Sequence, residues 1–232
     1  FGRSELALRL PSIISSFICL FITYLIALKI TNKKSALISI FSLSSMPLWL
    51  QYSRYASPDL PFVLCILLVI LFFLKYLDTK QIPNKFLYIF ISGIFISFAF
   101  FIRSFMVVVP VIGLTPFIFY HLIRTKNIFR ITFFTGILFG SLPTFINLYF
   151  SYRLFGMNAI TMPFDFAKEK AIGSIDINNL ILIPLNYIYL TFPIGILLVI
   201  LILFTKSTNK INYPLLIYCY PLLSLTTLLC MS

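Results

Sequence analysis

Acidic residues are scarce in this sequence: only 6 of its 232 residues are Asp or Glu, whereas 18 are Lys or Arg. Charged residues of both signs make up 10% of the chain, hydrophobic residues make up 60%, and the mean hydropathy is +1.04. A soluble domain of this length cannot hide so much apolar surface, so the composition excludes a soluble globular protein. In a membrane protein, the net charge of +12 reflects loop lysines and arginines that set the topology. We therefore expect a lipid bilayer, and no nucleic acid, as a partner.

The sequence also lacks the short motifs of nucleotide-binding and metal-binding proteins. It contains no Walker, GxGxxG or CxxC pattern and no internal repeat. The single histidine, His121, has no partner at metal-ligand spacing, and we expect it to be interfacial. Four cysteines lie inside apolar segments, so they are expected to be small buried hydrophobes rather than disulfide or metal ligands: Cys19, Cys65, Cys219 and Cys230. We predict no metal and no other cofactor.

Long apolar runs make up most of the chain. A bilayer core about 30 Å thick needs roughly 20 apolar residues for each helical crossing. The runs are continuous, whereas the strands of a transmembrane β-barrel alternate apolar and polar residues. We therefore predict an all-α, polytopic helical membrane protein with a single transmembrane domain. Its apolar segments are 12–30, 35–50, 60–77, 86–101, 104–121, 130–150, 179–204 and 213–232.

The basic residues are concentrated in alternate gaps between these segments. The gaps 29–34, 75–85, 122–130 and 205–212 carry 11 of the 18 basic residues and one of the acids. By the positive-inside rule these gaps are cytoplasmic, so the opening segment, the 51–59 stretch, the turn at Arg103 and the loop 151–178 face outward. That long outer loop is either an amphipathic piece on the membrane surface or a plain connector.

The outward-facing gaps hold charges at the ends of apolar segments. Arg103 lies between two apolar segments and needs a carboxylate, a lipid phosphate or a water-filled cavity. At that position either two short helices turn or helices end early beside a polar vestibule. Asp59 begins an apolar run and could simply cap its helix, and Arg54 could extend to the lipid headgroups. Glu5 and Arg9 have the i, i+4 spacing of a helical ion pair.

Together these residues offer arginines suited to bidentate phosphate binding and a nearby carboxylate. Such a set would serve a phosphate-bearing lipid substrate that enters from the bilayer. It would also serve a transporter gate, so the residue types alone leave both functions open.

Three stretches resemble sequence blocks of one glycosyltransferase superfamily. "FGRSELALRLPS" (1–12) is similar to its F-G-x-x-E-x-x-x-R-x-P-S block, and "YSRYASPDLPF" (52–62) is similar to its Y-S-R-x-A-x-x-D block. "GIFISFAFFIRSFMVVVP" (93–110) resembles a third block, in which family members commonly carry lysine where this chain has Arg103. The family comprises the dolichyl-phosphate-mannose protein mannosyltransferases and bacterial relatives such as the lipid A aminoarabinose transferases, and its fold is called GT-C.

The resemblance implies a membrane enzyme that transfers a sugar, with inversion, from a polyprenyl-phosphate donor to a lipid, glycan or protein acceptor. The active site would face the extracytoplasmic side of the cell (inner) membrane. Asp59 would be a supporting catalytic acid, and the substrate-binding residues would be Arg54, Arg103, Arg9 and Glu5. The sequence begins with Phe1 and stops at "LLCMS" inside a hydrophobic run, so we expect it to be an internal piece of a longer, bacterial protein. In the family, the principal catalytic aspartate lies before the block that matches 1–12, so the resemblance implies that this piece lacks it.

Two other functions are compatible with a polytopic membrane protein. A flippase or transporter of lipid-linked sugars would usually carry its charges near the midplane, often in paired repeats. Here the charges cluster at one face and no repeat is found, which favours the enzyme. A scaffold subunit of a membrane complex would leave the outer acid and arginines without a specific role.

Overall fold

The computed structural model describes residues 5–124, 127–158, 161–162 and 165, and their backbone is helical apart from short connections. Eight α-helices and one short 3₁₀ helix follow one another along this part of the chain. The helices are α1 Glu5–Ile30, α2 Lys33–Ser45, α3 Pro47–Arg54, α4 Asp59–Asp78, α5 Ile82–Arg103, the 3₁₀ helix Ser104–Val107, α6 Val108–Arg124, α7 Asn127–Gly140 and α8 Leu142–Phe155. The all-α prediction is confirmed. The predicted segments 179–204 and 213–232 lie outside the described residues.

Among the residues that the structure describes, three helices are long and apolar enough to cross a membrane: Ala7–Ile30, Asp59–Asp78 and Ile82–Val107. A fourth crossing is added if α7 and α8, which meet at a 42° bend, count as one broken span. The bend lies where the sequence predicted one segment, 130–150, and Pro143 explains it because proline lacks the amide that continues a helix. Of the predicted loop 151–178, the first residues belong to α8, which continues to Phe155, and the described residues 158, 161–162 and 165 are helical too. The remainder of this loop lies outside the described residues.

The predicted single segment 35–50 is also divided, which corrects the sequence-based boundary. α2 ends before Met46, whose ψ of 128° is extended, and α3 starts at Pro47. A residue that precedes proline is pushed out of the helical region because the proline ring clashes with its backbone. The break therefore follows directly from the sequence "SSMPLW".

α1 presents its small residues to the protein and its bulky residues to the outside. Ser12, Ser15, Ser16, Cys19 and Ile22 are buried. A second stripe of α1 is exposed and large: Ile14, Phe17, Ile18 and Phe21. In a bilayer, lipid tails are as apolar as these side chains, so helices associate through close packing of small residues.

α1 and α4 run parallel, and two contacts at opposite ends establish this. Near the start of α1, Ser12 contacts Ser57 just before α4, and at the other end Lys29 pairs with Asp78. Between these contacts, Cys19, Ile22, Leu67 and Leu71 form an apolar core that includes the ring of Trp49. Because α1 and α4 run in the same direction, α2 and α3 must return the chain between their ends.

α5 runs antiparallel to α4, and two further lysines lie at the end that contains Lys29: Lys75 near the end of α4 and Lys85 near the start of α5. The Lys75 ammonium lies 5.9 Å from the centroid of the Tyr88 ring, and Lys85, only 5% exposed, lies 4.5 Å from that of Tyr76. α7 begins at the same end, since Phe133 packs edge-on against Phe73. We call this the lysine end. The opposite end, with Ser12, Ser57 and Asp59, is called the Asp59 end.

α5 and α7 run parallel and touch through glycines. A Cβ added to Gly140 would lie 2.4 Å from the Phe90 carbonyl oxygen and 2.7 Å from the Gly93 Cα. The Ser97 hydroxyl donates across the contact to the Gly140 carbonyl at 3.2 Å. Such an approach requires small residues, as in the small-xxx-small pattern of membrane helices.

These contacts belong to the first of two compact units, which comprises Phe1–Ser104 and Lys126–Asn147. The second unit comprises Phe105–Thr125 and Leu148–Ser232. Within the second unit, α6 places His121 edge-on against the rings of Phe117 and Tyr120.

Candidate functional site

Asp59 and Arg103 form an ion pair at the Asp59 end of the first unit. The bond joins Nη2 of Arg103 to Oδ1 of Asp59. The Asp59 side chain is 12% exposed and that of Arg103 is 24% exposed, so water screens the pair only partly. Of the three environments considered for Arg103, the structure thus provides a carboxylate.

The start of α4 positions Asp59. Pro58 occupies the N-cap position, and Asp59 is the first helical residue, with no side-chain bond of the N-cap type at Pro58. The interpretation of Asp59 as the cap is therefore wrong, because its carboxylate faces Arg103 instead. It still lies in the first turn, where a negative charge interacts favourably with the helix dipole.

The end of α5 positions Arg103. Arg103 is the last residue of α5, and Ser104 follows with a φ of 48° and a ψ of −131°. A positive φ at a residue with a side chain stops a helix sharply. At a helix C-terminus, a cation is favoured by the dipole. The end of α5 at Arg103 is compatible with both alternatives predicted for this position, a turn between two short helices and an early helix end beside a polar vestibule.

Two serines complete the surroundings of Asp59. The Ser57 hydroxyl donates to Oδ2 of Asp59 and accepts from the Asp59 backbone N–H at 3.3 Å. The Ser12 hydroxyl, on α1, donates to the Ser57 carbonyl at 2.9 Å and accepts from the Ser57 N–H at 3.3 Å. Neither serine was predicted from the sequence to belong to the site. The available signals were the Ser-Pro pair before Asp59, which favours a turn, and the serine that ends the first family block.

Glu5 and Arg9 pair with each other, as the i, i+4 spacing predicts. The bond joins Nη2 of Arg9 to Oε1 of Glu5, and both side chains are exposed. Within the described residues, neither is seen to bond Asp59 or Arg103. They lie one to two turns before Ser12 on α1, and therefore at the Asp59 end.

Arg54 lies apart from Asp59 although it is close in sequence. It is the last residue of α3, it is exposed, and no ion pair joins it to any residue that the structure describes. Together with Pro47, Leu50, Gln51 and Tyr55 it lines an open depression of about 350 Å³. An apolar wall beside a guanidinium is chemically suited to an amphiphile with an anionic head.

No group of three or more His, Cys, Asp or Glu side chains in the described part of the chain is arranged to hold a metal ion. Cys19 and Cys65 are buried, unbridged thiols, in agreement with the sequence-based expectation. Cys219 and Cys230 lie outside the described residues.

Fold and site together define a class of protein: a helical membrane protein with a charged pair where two spans meet at one end. The chain matches the family model of the dolichyl-phosphate-mannose-protein mannosyltransferases over residues 1–150, and it belongs to this family. The predicted family and the GT-C-type, polytopic fold are thereby confirmed. The protein is a mannosyltransferase-like membrane glycosyltransferase. No curated protein and no solved structure matches the chain.

Proposed function

We propose that this protein transfers a sugar from a polyprenyl-phosphate donor to an acceptor hydroxyl, with inversion at the anomeric carbon. The acceptor is a lipid, a glycan or a protein. The reaction takes place at the extracytoplasmic side of the inner membrane of a bacterial cell, and the Asp59 end faces that side. Support for this orientation comes from the opposite end, which carries Lys29, Lys75 and Lys85.

The observation that carries the proposal is the ion pair between Asp59 and Arg103. A charge at membrane depth costs about 2.5–3.5 kcal/mol on insertion scales. Here α4 contributes a negative charge and α5 a positive charge, and the two charges form an ion pair. A guanidinium at this end of two helices is suited to bind the phosphate of a lipid-linked donor, and the carboxylate beside it is suited to orient that guanidinium.

The chemistry assigns separate tasks to the two signs of charge. The acceptor oxygen attacks the anomeric carbon and forms the new glycosidic bond, while the bond from that carbon to the phosphate oxygen breaks. The electron pair leaves with the phosphate, and a carboxylate base takes the acceptor proton. Cations stabilise the departing phosphate, and this task falls to Arg54, Arg103 and Arg9.

Asp59 acts as a supporting acid that orients the site and one of its cations. By resemblance, the principal base is a residue that precedes the block containing Glu5 and Arg9. Glu5 has the subsidiary task of orienting Arg9.

The test is sugar transfer by the full-length protein in membranes, with radiolabelled dolichyl-phosphate mannose as the first donor and other polyprenyl-phosphate sugars after it. We expect Asp59→Asn and Arg103→Ala each to reduce transfer by about 100-fold or more. Asp78→Asn is the matched control, since it makes the same change on the same helix at the lysine end. Wild-type transfer by Asp59→Asn would refute the proposal.

The assay also separates the enzyme from a transporter of lipid-linked sugars. A transporter would move the labelled lipid between leaflets without breaking its sugar–phosphate bond. Translocation that is lost in Asp59→Asn, with no transfer by the wild type, would overturn the enzyme in favour of the transporter.

A further inference from the structure

Both oxygens of the Asp59 carboxylate have a partner, and the partners come from different elements. Oδ1 forms the ion pair with Arg103 at the end of α5, and Oδ2 accepts a hydrogen bond from the Ser57 hydroxyl in the connection before α4. An ion pair is weakly directional, whereas the hydrogen bond to Oδ2 restricts rotation of the carboxylate about its Cβ–Cγ axis. Ser57 therefore sets the orientation of Asp59, which Arg103 alone would not.

Ser57 is itself held by a buried side chain on another helix and by a local bond, since its N–H also donates to the Tyr55 carbonyl at 2.9 Å. The Ser12 hydroxyl uses both of its capacities on Ser57, donating to its carbonyl at 2.9 Å and accepting from its N–H at 3.3 Å. Ser12 is only 2% exposed, so water does not readily replace these bonds. The connection before α4 is thus attached to α1 at one residue.

From this chain of bonds we propose that Ser57 is the positioning residue for Asp59 and that Ser12 anchors it. The inference rests on the proposed function of Asp59 and adds two residues to that site. Ser12 and Ser57 touch neither donor nor acceptor; they act through the carboxylate of Asp59. A displacement of a reacting group by about 1 Å can cost 100-fold in rate, so the hydroxyls matter for turnover rather than for binding.

The experiment compares serine variants of the full-length protein in the dolichyl-phosphate mannose assay, with Asp59→Asn as the reference. We expect Ser57→Ala to lower kcat by about 10- to 100-fold while the KM for the donor changes by less than about threefold. Ser57→Thr keeps the hydroxyl and should restore most of the rate. Ser12→Ala should lower kcat in the same direction but by less, because it removes both bonds from Ser57 to α1 while the Ser57 N–H keeps its bond to the Tyr55 carbonyl.

Two other serines provide matched controls. Ser16 is buried on α1 like Ser12, but among the described residues its hydroxyl bonds only the Ile13 carbonyl of its own helix, at 2.7 Å. Within the same part of the chain, the Ser53 hydroxyl bonds only the Leu50 carbonyl, at 3.0 Å. Ser16→Ala and Ser53→Ala should keep wild-type kcat. Thermal unfolding in detergent separates an effect on turnover from loss of the fold.

The outcomes distinguish this inference from the proposed function. If Asp59→Asn transfers sugar normally, the proposed function fails and the positioning role fails with it. If Asp59→Asn is inactive but Ser57→Ala keeps wild-type kcat, only the positioning role is overturned. Should Ser57→Ala unfold, Ser57→Thr decides: a folded threonine variant with strongly reduced kcat shows that the hydroxyl is not what positions Asp59.

Discussion

Arg103 and Asp59, the last residue of α5 and the first of α4, form an ion pair that joins two antiparallel helices at one end. Each charge also lies where its own helix dipole favours it. The side chains are 24% and 12% exposed. Removal of one partner from a fully buried pair costs about 3–5 kcal/mol, and partial exposure lowers that cost here.

Substitution of Arg103 by lysine and by alanine should have different effects. Lysine keeps a cation beside Asp59 but loses the planar fork, so Arg103→Lys should retain measurable sugar transfer. Arg103→Ala leaves the Asp59 carboxylate without this partner and should abolish sugar transfer. It should also lower the free energy of unfolding by about 1–3 kcal/mol. Transfer rate and thermal unfolding in detergent measure the two effects. Equal activity in both variants would mean that the charge at position 103 has no part in the reaction.

Arg54 should affect donor binding without affecting stability. It is exposed and forms no ion pair with any residue of the described ranges, so Arg54→Ala should leave the unfolding temperature unchanged. If it contacts the donor phosphate, the KM for the donor should rise by about 10- to 100-fold, since hydrogen bonds to charged groups are worth about 1.5–3 kcal/mol. An unchanged KM would assign Arg54 to the lipid headgroups.

Arg9→Ala is the companion variant of Arg54→Ala. Its exposed pair with Glu5 is worth only a few tenths of a kcal/mol, so its stability effect should also be small. Any rise in the KM of this variant would then report a contact with the donor rather than damage to the fold.

Several features could be predicted from the sequence because they depend on local chemistry. The run after Asp59 contains almost no polar residue, and the predicted segment 60–77 agrees with α4 within about one residue at each end. The need of Arg103 for a partner also follows from one charge among apolar neighbours.

Other features depend on contacts between residues distant in sequence. Asp59 is the partner of Arg103 because α4 packs antiparallel against α5. From the sequence alone, Glu5 could equally have been that partner. The bond from Ser12 to Ser57 exists because α1 and α4 run parallel. The break at Met46, in contrast, could have been read from Pro47, whose effect on the preceding residue is local.

Glycines of the α5–α7 contact should differ in their tolerance of alanine. A Cβ at Gly140 would meet backbone, 2.4 Å from the Phe90 oxygen, whereas a Cβ at Gly136 would meet the Ile89 side chain at 2.8 Å. Backbone cannot move aside as a side chain can, so Gly140→Ala should destabilise by about 1–3 kcal/mol. Gly136→Ala should cost less. Thermal unfolding in detergent ranks the two, and the reverse order would contradict the close approach of α5 and α7.

The two ends of α4 should be accessible from opposite sides of the membrane. Ala56 and Lys80 are exposed and flank α4, whose 20 residues span about 30 Å. In a background without native cysteines, a membrane-impermeant maleimide applied to intact cells should label Ala56→Cys. It should label Lys80→Cys only after permeabilisation.

Permeabilised cells provide the control for this labelling experiment, because both cysteines should react there if they are exposed. Labelling of both from outside would exclude α4 as a crossing. Labelling of Lys80→Cys alone would keep the crossing but reverse it, which would move Asp59 and Arg103 to the cytoplasmic side. The donor would then have to present its sugar to the cytoplasm, and the extracytoplasmic reaction would be excluded even though the ion pair remained intact.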